Sequence, residues 1–312
     1  MTTLLSFIKK PAKAAVRLYY KTTHWPPVWR LLNKEALDLY KKHTPQLNKV
    51  QQRLVQDLNE TGIAITHIDE LFPDENLFPE LLSYAKKYEE GAETKTVKEF
   101  LKFYFDAFPK IDLENPFVQL GLRNNVLDVV NTYMEMFSKF YYFTLNKTMP
   151  RGEHSKAIQS MRWHRDPEDA KMVKVFMYLN DIDKQAGPFV HIPGTHWEGK
   201  NNNLFPSKPP RGSLPPPEEI QRMFPENVCK VCVAKAGTII FCNTRGIHRG
   251  GHALTKERIM LTLGYRSPAS PWPLRYRYPD RFKEILKTKK LGFAQQYALD
   301  NFNKVGVKVL KY

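Results

Sequence analysis

The residues best suited to chemistry lie in one short stretch, Met161-Arg162-Trp163-His164-Arg165-Asp166. Side chains two positions apart on an extended strand point to the same face, so His164 and Asp166 would place an imidazole beside a carboxylate. A second histidine on a neighbouring strand would complete a set of two histidines and one carboxylate, which leaves three positions of an iron ion open. His248 is the candidate for this second histidine.

Arg258 lies ten residues after His248 and opens the apolar run Arg258–Tyr265. A guanidinium at that point could hold a dicarboxylic acid through a bidentate, charge-assisted pair. His252 is an alternative second histidine, because it lies in the same glycine-rich segment. The pattern predicts a metal site with an arginine that binds an acidic cosubstrate.

The segment between the two halves of this site reads Gly187-Pro188-Phe189-Val190-His191-Ile192-Pro193-Gly194-Thr195-His196. With these residues the chain resembles the phytanoyl-CoA dioxygenase-like family of iron(II)- and 2-oxoglutarate-dependent oxygenases, from about Gln159 to Tyr265. The resemblance implies that His164, Asp166 and His248 bind Fe(II) and that Arg258 binds 2-oxoglutarate, with O2 as the other cosubstrate. It favours His248 over His252 by the family's spacing to the arginine, and it assigns His196 to a structural turn.

The resemblance also bears on the reaction. Related halogenases carry a small residue in place of the carboxylate, so Asp166 implies hydroxylation or desaturation of a small organic substrate. We expect Trp163, Phe176 and Phe189 to border the substrate pocket, and no catalytic side chain beyond the metal ligands. Phe176 stands where members with phytanoyl activity carry tryptophan, which argues against a CoA ester. Gly250 stands where the family often has a polar residue.

Two other functions share part of this pattern. An alkylated nucleic-acid demethylase of the same superfamily also has His-x-Asp, a distal histidine and a later pair of arginines, here Arg258 and Arg266. The distance of 82 positions from Asp166 to His248 and the position of the basic charge argue against it. A catalytically silent jelly-roll binding protein, attached through basic termini, is the second alternative. The intact metal-ligand pattern argues against silence.

The elements that must position these residues change character along the chain. Helical spacing of apolar residues predicts two helices between Val28 and Asn59, followed by a strand at Gly62–Ile68, and two further helices at Pro79–Tyr88 and Asn124–Leu145. Six short strands follow, at Ser160–His164, Val173–Leu179, Phe189–Ile192, Val228–Val233, Gly237–Asn243 and Arg258–Tyr265. Asn201–Pro217 is predicted to be a long surface loop. The fold expected from the resemblance is α+β with a mainly β core, a double-stranded β-helix (jelly roll, cupin-like) flanked by N-terminal helices.

The charge of the chain lies at its ends. The net charge is +16, and residues 1–50 hold ten lysines and arginines against two acids, while residues 275–312 hold ten against three. We therefore predict a basic helical extension over residues 1–60, an oxygenase domain over 61–274 with its jelly-roll core at about 140–267, and a basic extension over 275–312. Because the middle is nearly neutral, nucleic acid is not an expected partner.

Residues 1–23 alternate basic and apolar side chains. Two interpretations stand: attachment to an anionic membrane surface, or packing on the body of the protein.

Three cysteines fit a reducing compartment, and Cys229-x-x-Cys232 lacks the second ligand pair that a zinc site needs. Neither a signal peptide nor a membrane-spanning run is expected. Together these features predict a cytoplasmic protein, with peripheral membrane attachment left open.

Overall fold

Two antiparallel sheets form the centre of the molecule. The computed structural model describes residues 14–91, 95–98, 100–208 and 212–301. The strands of this part are β1 Ile63–His67, β2 Lys95–Lys98, β3 Leu101–Phe103, β4 Lys139–Thr148, β5 Met172–Tyr178, β6 Phe189–His191, β7 Lys230–Val231, β8 Thr238–Cys242, β9 His248–Gly250 and β10 Arg258–Arg266. The larger sheet has the order β1-β8-β5-β10-β4-β3-β2, and the smaller has the order β7-β6-β9.

Helices pack on one face of the larger sheet, and helices also form the first and last described elements of the chain. They are α1 at residues 14–23, α2 Pro26–Leu32, α3 Lys34–Lys42, α4 Lys49–Thr61, α5 Ile68–Leu71, α6 Leu77–Gly91, α7 Pro116–Leu122, α8 Asn124–Met134, α9 Pro217–Met223, α10 Phe282–Thr288 and α11 Phe293–Leu299. Short 3-10 turns lie at Gln159–Met161, Lys184–Ala186 and Glu226–Val228. Among the described helices, none combines the length and the hydropathy that crossing a bilayer requires.

Strand β10 divides the helical core from the inner face. It pairs with β4 on one side and with β5 on the other. Its alternate residues Leu261, Leu263 and Tyr265 pack in the same apolar core as the helices. Arg258 and Met260 alternate with them and line the cavity on the opposite face. This arrangement confirms the predicted jelly-roll core with flanking helices.

One predicted helix was wrong in its second half. The helix expected at Asn124–Leu145 ends at Met134, and Glu135 takes a left-handed conformation with φ 57°. The side-chain oxygen of Asn131 then accepts hydrogen bonds from the backbone N–H and the hydroxyl of Ser138, at 2.9 and 2.8 Å. The aromatic run that follows forms β4, because aromatic residues favour a pleated, half-buried surface.

The strand predicted at Ser160–His164 was also wrong. A 3-10 turn occupies Gln159–Met161, and Gln159 has a positive φ of 48°. Only His164 pairs, as an isolated antiparallel bridge with His248. The strand predicted at Val228–Val233 is reduced to Lys230–Val231, because a 3-10 turn takes up its start.

The segments predicted as basic extensions take part in the main core where the structure describes them. Trp29 of α2 and Leu54 of α4 are buried in the same apolar cluster as the large sheet, and so is Leu299 of α11. Lys139 of β4 donates through Nζ to the backbone oxygens of Tyr297 and Asp300, both at 2.7 Å. The outermost residues of both extensions, 1–13 and 302–312, lie outside the described residues, so the predicted behaviour of those parts stays a prediction.

Candidate metal centre

His164, Asp166 and His248 come together at one point. Their ligand atoms, one nitrogen from each imidazole and one carboxylate oxygen, all lie within 4.8 Å of one another. Nε2 of His164 is 3.6 Å from Oδ1 of Asp166, and Nε2 of His248 is 3.5 Å from Oδ2. This is the one group with metal-ligand geometry among the described residues.

Backbone pairing holds the three residues in register. His164 and His248 exchange both backbone hydrogen bonds, at 2.9 and 3.0 Å, and the Asp166 N–H donates to the carbonyl of Thr244 at 2.9 Å. The spacing of His164 and Asp166 therefore places both side chains on one face, although their segment is extended without being a regular strand and only bridges to β9. Arg165, between the two ligands, points the other way and is buried.

The Arg165 guanidinium fixes the neighbouring loops. Nη1 donates to the carbonyl oxygens of Thr195 and Arg245 at 2.5 and 2.6 Å. Nη2 donates to the carbonyls of Asn202 and Leu204 at 3.2 and 2.8 Å. A planar group with several donors suits this role, because it can bind several carbonyls at once. The side chain between the two predicted ligands thus anchors the start of the loop predicted at Asn201–Pro217, of which residues 209–211 are outside the described part.

Each histidine is oriented through its second ring nitrogen. Nδ1 of His164 is 2.8 Å from the carbonyl oxygen of Arg162, and Nδ1 of His248 is 3.0 Å from that of Gly246. A carbonyl only accepts, so both Nδ1 atoms carry the hydrogen and both Nε2 atoms keep a free lone pair. That is the tautomer that a histidine ligand requires, and the carbonyl contact fixes the ring plane.

A lysine that the sequence patterns did not single out contacts Asp166, the predicted carboxylate ligand. Lys174 of β5 donates through Nζ to Oδ2 of Asp166 at 2.7 Å and to Oε1 of Glu168 at 3.0 Å. Asp166 and Glu168 are buried, and only 11% of the Lys174 side chain is exposed. Because Lys174 binds one carboxylate oxygen, the other, Oδ1, is left to face His164.

Burial and charge set the protonation of this group. Burial by itself would raise the pKa of Asp166, but Lys174 and the two histidines outweigh it and hold that pKa well below its usual range. Burial and then the Asp166 charge raise the pKa of Glu168, and Lys174 offsets this in part. Burial and His164 lower the pKa of His248 to about 3, so its imidazole is neutral near pH 7.

Arg258 lies on the same cavity wall, at the start of β10. Its Nη1 donates to the carbonyl of Gly187, and its Nη2 is 3.2 Å from Oγ1 of Thr148. The Nε atom is buried and has no hydrogen-bond partner among the described residues. A Cβ on Gly250 would meet Arg258 Nη2 at 3.2 Å, so the small residue at this position gives the guanidinium its room. Gly250 stands where the family often has a polar side chain, and here the hydroxyl beside Arg258 comes from Thr148 instead.

A cavity of about 350 Å³ joins the metal-ligand group to Arg258. Phe176 and Phe189 line it, and their rings lie 4.7 Å apart between centroids. Trp163 is not among its lining residues. It is buried against Val190 and Ile247, with the Arg249 guanidinium 4.4 Å from its ring. Of the three predicted pocket residues, the structure thus places two at the cavity and one in a separate apolar cluster.

The other candidate ligands point elsewhere. His252 Nε2 is 2.7 Å from the Ser155 hydroxyl, and His196 Nε2 is 3.1 Å from the Asn59 carbonyl. Cys229 and Cys232 pack in different apolar clusters. These four side chains lie outside the group formed by His164, Asp166 and His248.

Lys174 and Glu168 carry a signal that sequence reasoning could have used. Lys174 interrupts the apolar run Met172-Val173-Lys174-Val175-Phe176, and a lysine in a buried strand needs an anionic partner. Glu168 is the acid two positions beyond Asp166. No pattern in the sequence shows, however, that the chain between Glu168 and β5 turns back so that the two side chains meet.

The side chains fit an iron(II) ion and a dicarboxylate. Two imidazoles that each donate Nδ1–H to a carbonyl, together with one ionised carboxylate, are the donor set that is typical of non-haem iron(II) oxygenases. The unpartnered Nε of Arg258 is the kind of donor that a carboxylate would satisfy. The jelly-roll core and this site define the class of iron(II)- and 2-oxoglutarate-dependent oxygenases.

The family is shown by direct comparison. The sequence model of phytanoyl-CoA dioxygenase matches residues 88–260, more than half of the chain, and the chain belongs to this family. Its cofactor is Fe(II), and its cosubstrates are 2-oxoglutarate and O2. A search of curated proteins found no match to the chain.

Several solved structures match this chain over about three quarters of its length. EctD from S. alaskensis, solved with 2-oxoglutarate and 5-hydroxyectoine, has 15% identity and a TM-score of 0.49, over 76% of this chain and 91% of that chain. HygX from Streptomyces hygroscopicus, solved with nickel, 2-oxoglutarate and hygromycin B, has 16% identity and a TM-score of 0.45, over 70% and 87%. Because these values are low, the molecules bound in those structures say nothing about the substrate of this chain.

Proposed function

We propose that this chain hydroxylates a small organic substrate, with His164, Asp166 and His248 as the Fe(II) ligands and Arg258 as the residue that binds 2-oxoglutarate. The observation that carries the proposal is that the three ligand side chains and the guanidinium line one cavity. The reaction would convert a substrate C–H bond, O2 and 2-oxoglutarate into the alcohol, succinate and carbon dioxide. Desaturation by the same site is the alternative outcome.

The residues of the chain prepare the site before any substrate arrives. Bound Fe(II) would supply the activation of O2 and of the keto acid. The carbonyls of Arg162 and Gly246 hold the two imidazoles in the ligand tautomer. Lys174 donates to Oδ2 of Asp166 and so fixes the orientation of this carboxylate. The rings of Phe176 and Phe189, 4.7 Å apart and tilted by 38° to each other, make one wall of the cavity apolar and so exclude water there.

The remaining lining suggests the chemical class of the substrate. Phe100, Leu101 and Met161 form a small buried apolar cluster that borders the cavity. Arg275 also lines it, with its guanidinium 4.5 Å from the Tyr142 ring. No ion pair joins Arg275 to a carboxylate in the described part of the chain. A molecule with an apolar body and one acidic group fits these walls, because the acidic group would pair with Arg275.

The two alternative functions are less well supported. A demethylase of alkylated nucleic acid would need Arg266 as a second site arginine. Arg266 is fully buried, lies 5.0 Å from the Tyr141 ring and does not line the cavity. A silent binding protein would have no use for the orienting contacts on both histidines and on Asp166, which are all in place.

The metal-ligand assignment is tested by single substitutions. His164→Ala, Asp166→Ala and His248→Ala should each abolish iron-dependent formation of succinate from 2-oxoglutarate, because each removes one of three ligands. His252→Ala is the matched control and should keep most of the turnover, since His252 contacts Ser155 instead. Succinate is measured together with Fe(II) binding by equilibrium dialysis. An inactive His252→Ala with an active His248→Ala would show that the distal ligand is wrongly assigned.

The substrate class is tested by a metabolite screen. Compounds with an apolar body, with and without a carboxylate or phosphate, are added to the enzyme, and stimulation of 2-oxoglutarate turnover is measured. We expect stimulation by acidic members only, and a higher KM for them in Arg275→Gln. Stimulation by neutral compounds alone would contradict the role of Arg275 and leave the metal-ligand assignment intact.

A further inference from the structure

Exposed apolar side chains concentrate in one segment, residues 18–32. Leu18, Tyr19, Trp25, Leu31 and Leu32 are between 46% and 69% exposed. They make up five of the twelve large apolar side chains that are exposed in the described part of the chain. A cluster of this kind on a soluble surface marks an interaction site more often than scattered apolar residues do.

The opposite side of the same segment is packed on the protein. Tyr20 is fully buried, and its ring meets the Trp272 ring edge to face at 6.3 Å. Trp29 of α2 is also buried, and its Nε1 donates to Asp169 at 2.8 Å. The segment is therefore held in place by one face and presents the other to its surroundings. Packing on the body of the protein therefore accounts for only one face of the segment.

The charge of the segment is entirely positive. Residues 14–34 contain four lysines or arginines and no acid. Arg30 pairs with Glu198, and Lys34 pairs with Asp38. Arg17 and Lys21 make no ion pair with any described residue. Two cations therefore remain available beside the exposed leucines and aromatics.

A cleft of about 500 Å³ opens next to these side chains. Its polar lining includes Lys21, His24, Ser207 and Arg245, and its lining contains no carboxylate. Leu18 and Trp25 contribute its apolar part. The cleft thus combines a basic interior with exposed apolar residues at its edge.

Two hydrogen-bond donors of the cleft, on His24 and Ser207, have no partner among the described residues. Arg245 Nη1 donates to Nδ1 of His24 at 3.3 Å, and a guanidinium only donates, so the hydrogen of this imidazole sits on Nε2. Both Nε2 of His24 and the Ser207 hydroxyl are buried and have no hydrogen-bond partner among the described residues. Burial and the Arg245 charge lower the pKa of His24 to about 3, so the ring stays neutral. The cleft thus holds two cations, Lys21 and Arg245, and two unpaired donors, on His24 and Ser207. Such a set of groups suits an oxyanion.

We propose that this cleft binds the phosphate of an anionic lipid headgroup and that residues 18–32 attach the enzyme to the surface of a membrane. A phosphate fits because its negative charge complements Lys21 and Arg245. The exposed leucines and Trp25 favour a lipid over a soluble phosphate, because side chains of this type enter the boundary between headgroups and acyl chains. The proposal is independent of the catalytic assignment, since none of these residues lines the metal cavity.

The test is co-sedimentation of the full-length chain with vesicles. The vesicles contain phosphatidylcholine alone, or phosphatidylcholine with phosphatidic acid or phosphatidylserine at matched surface charge. We expect binding to both anionic kinds, with preference for phosphatidic acid because its phosphate is unsubstituted. Lys21→Gln should weaken binding about fivefold, the effect expected for one basic residue near an anionic surface. Ser207→Ala should reduce the preference for phosphatidic acid.

The apolar contribution is separated from the charge by salt. The double variant Leu18→Ser/Trp25→Ser should lose the binding that persists at high salt, because burial of apolar surface is not screened. Lys86→Gln and Val233→Ser are the matched controls, since both residues are exposed outside the segment. They should bind as the unchanged protein does, and all variants should keep basal 2-oxoglutarate turnover.

Three outcomes would overturn the proposal. Equal vesicle binding of Lys21→Gln, Leu18→Ser/Trp25→Ser and the unchanged protein would show that the cleft and its edge do not bind the membrane. Stabilisation of the protein by inorganic phosphate without vesicle binding would make the cleft a site for a soluble anion. Failure to bind any vesicle while the protein captures an acidic peptide would make the partner a protein.

Discussion

At the scale of single residues, the site depends on what each charged group has as its partner. Arg258 contacts the Gly187 carbonyl and the Thr148 hydroxyl, yet its Nε lacks a partner among the described residues. Lys174 is paired twice, with Asp166 and Glu168. The Arg258 guanidinium can therefore bind the carboxylate of a ligand, whereas the Lys174 ammonium is already paired with carboxylates of the protein.

Arg258→Lys should raise the KM for 2-oxoglutarate by on the order of tenfold or more, because lysine keeps the charge but loses the planar pair of donors. Fe(II) binding should persist, since Arg258 is not among the three ligand residues. Steady-state kinetics with varied 2-oxoglutarate, together with equilibrium dialysis of iron, measure the two effects. An unchanged KM would remove Arg258 from the cosubstrate site.

Lys174→Met should destabilise the protein by about 3–5 kcal/mol, because it leaves Asp166 and Glu168 buried without a cation. Adding Glu168→Gln should restore part of the loss, since one of the two buried charges is then removed. Denaturant unfolding of the single and double variants measures the difference. Lys235→Met is the control: Lys235 pairs with Asp181 at the same 2.7 Å distance, but both are exposed, and the substitution should hardly matter. Equal losses in Lys174→Met and Lys235→Met would contradict the argument.

At the scale of elements, helix α8 is held against α4 by an interface that contains a carboxyl group. Partial burial raises the pKa of Asp128 from 3.8 to about 6, and a hydrogen bond from Gln51 offsets this only in part. A raised pKa in the folded state means that the protonated form is favoured by folding. The contribution of Asp128 to stability is therefore fully present below pH 3.8 and is lost as the pH rises through about 6.

Asp128→Asn mimics the protonated form, so it should raise the melting temperature above pH 6 and leave it nearly unchanged below pH 3.8. Thermal unfolding of both proteins across this range measures the effect as a difference that grows with pH. A constant difference, or one that shrinks as the pH rises, would show that Asp128 is not the group involved.

At the scale of the whole molecule, the helices at both ends complete the core that covers the large sheet. Trp29, Leu54 and Leu58 come from the N-terminal helices, and Phe282 and Leu299 come from the C-terminal ones. Burial of five such side chains stabilises the fold by on the order of 10 kcal/mol. That is comparable with the total stability of about 5–15 kcal/mol of a typical domain.

A fragment limited to residues 61–274 should therefore not unfold cooperatively, because it lacks this cover. The fragment 14–301, which keeps every described contact, is the control and should show a sharp transition. Calorimetry of the two fragments decides the question. A sharp transition in the 61–274 fragment would support the predicted division of the chain into an oxygenase domain and two separable extensions.

The sequence predicted the parts of the site that depend on residues close together along the chain. The spacing His164-x-Asp166 works because side-chain alternation is a local property of extended backbone, and it holds although the expected strand is only a bridge. Arg258, at the start of β10, was predicted from its distance to His248 and from its position at the head of an apolar run. Local patterns also predicted β1, β5, β8 and β10 nearly to their ends, because these strands are flanked by turn residues.

Only the tertiary structure decided which distant side chains meet. Lys174 reaches Asp166 because the chain turns back between them, and Trp163 leaves the cavity because its neighbours Val190 and Ile247 pack around it. The cleft of Lys21, Ser207 and Arg245 joins three segments that no periodicity connects. Local backbone geometry and residue chemistry predicted His164 and Asp166 as metal ligands from the sequence alone, and the family's spacing to Arg258 favoured His248 as the third. The path of the loops and the order of the strands determined every other contact, because these follow from the packing of the whole core.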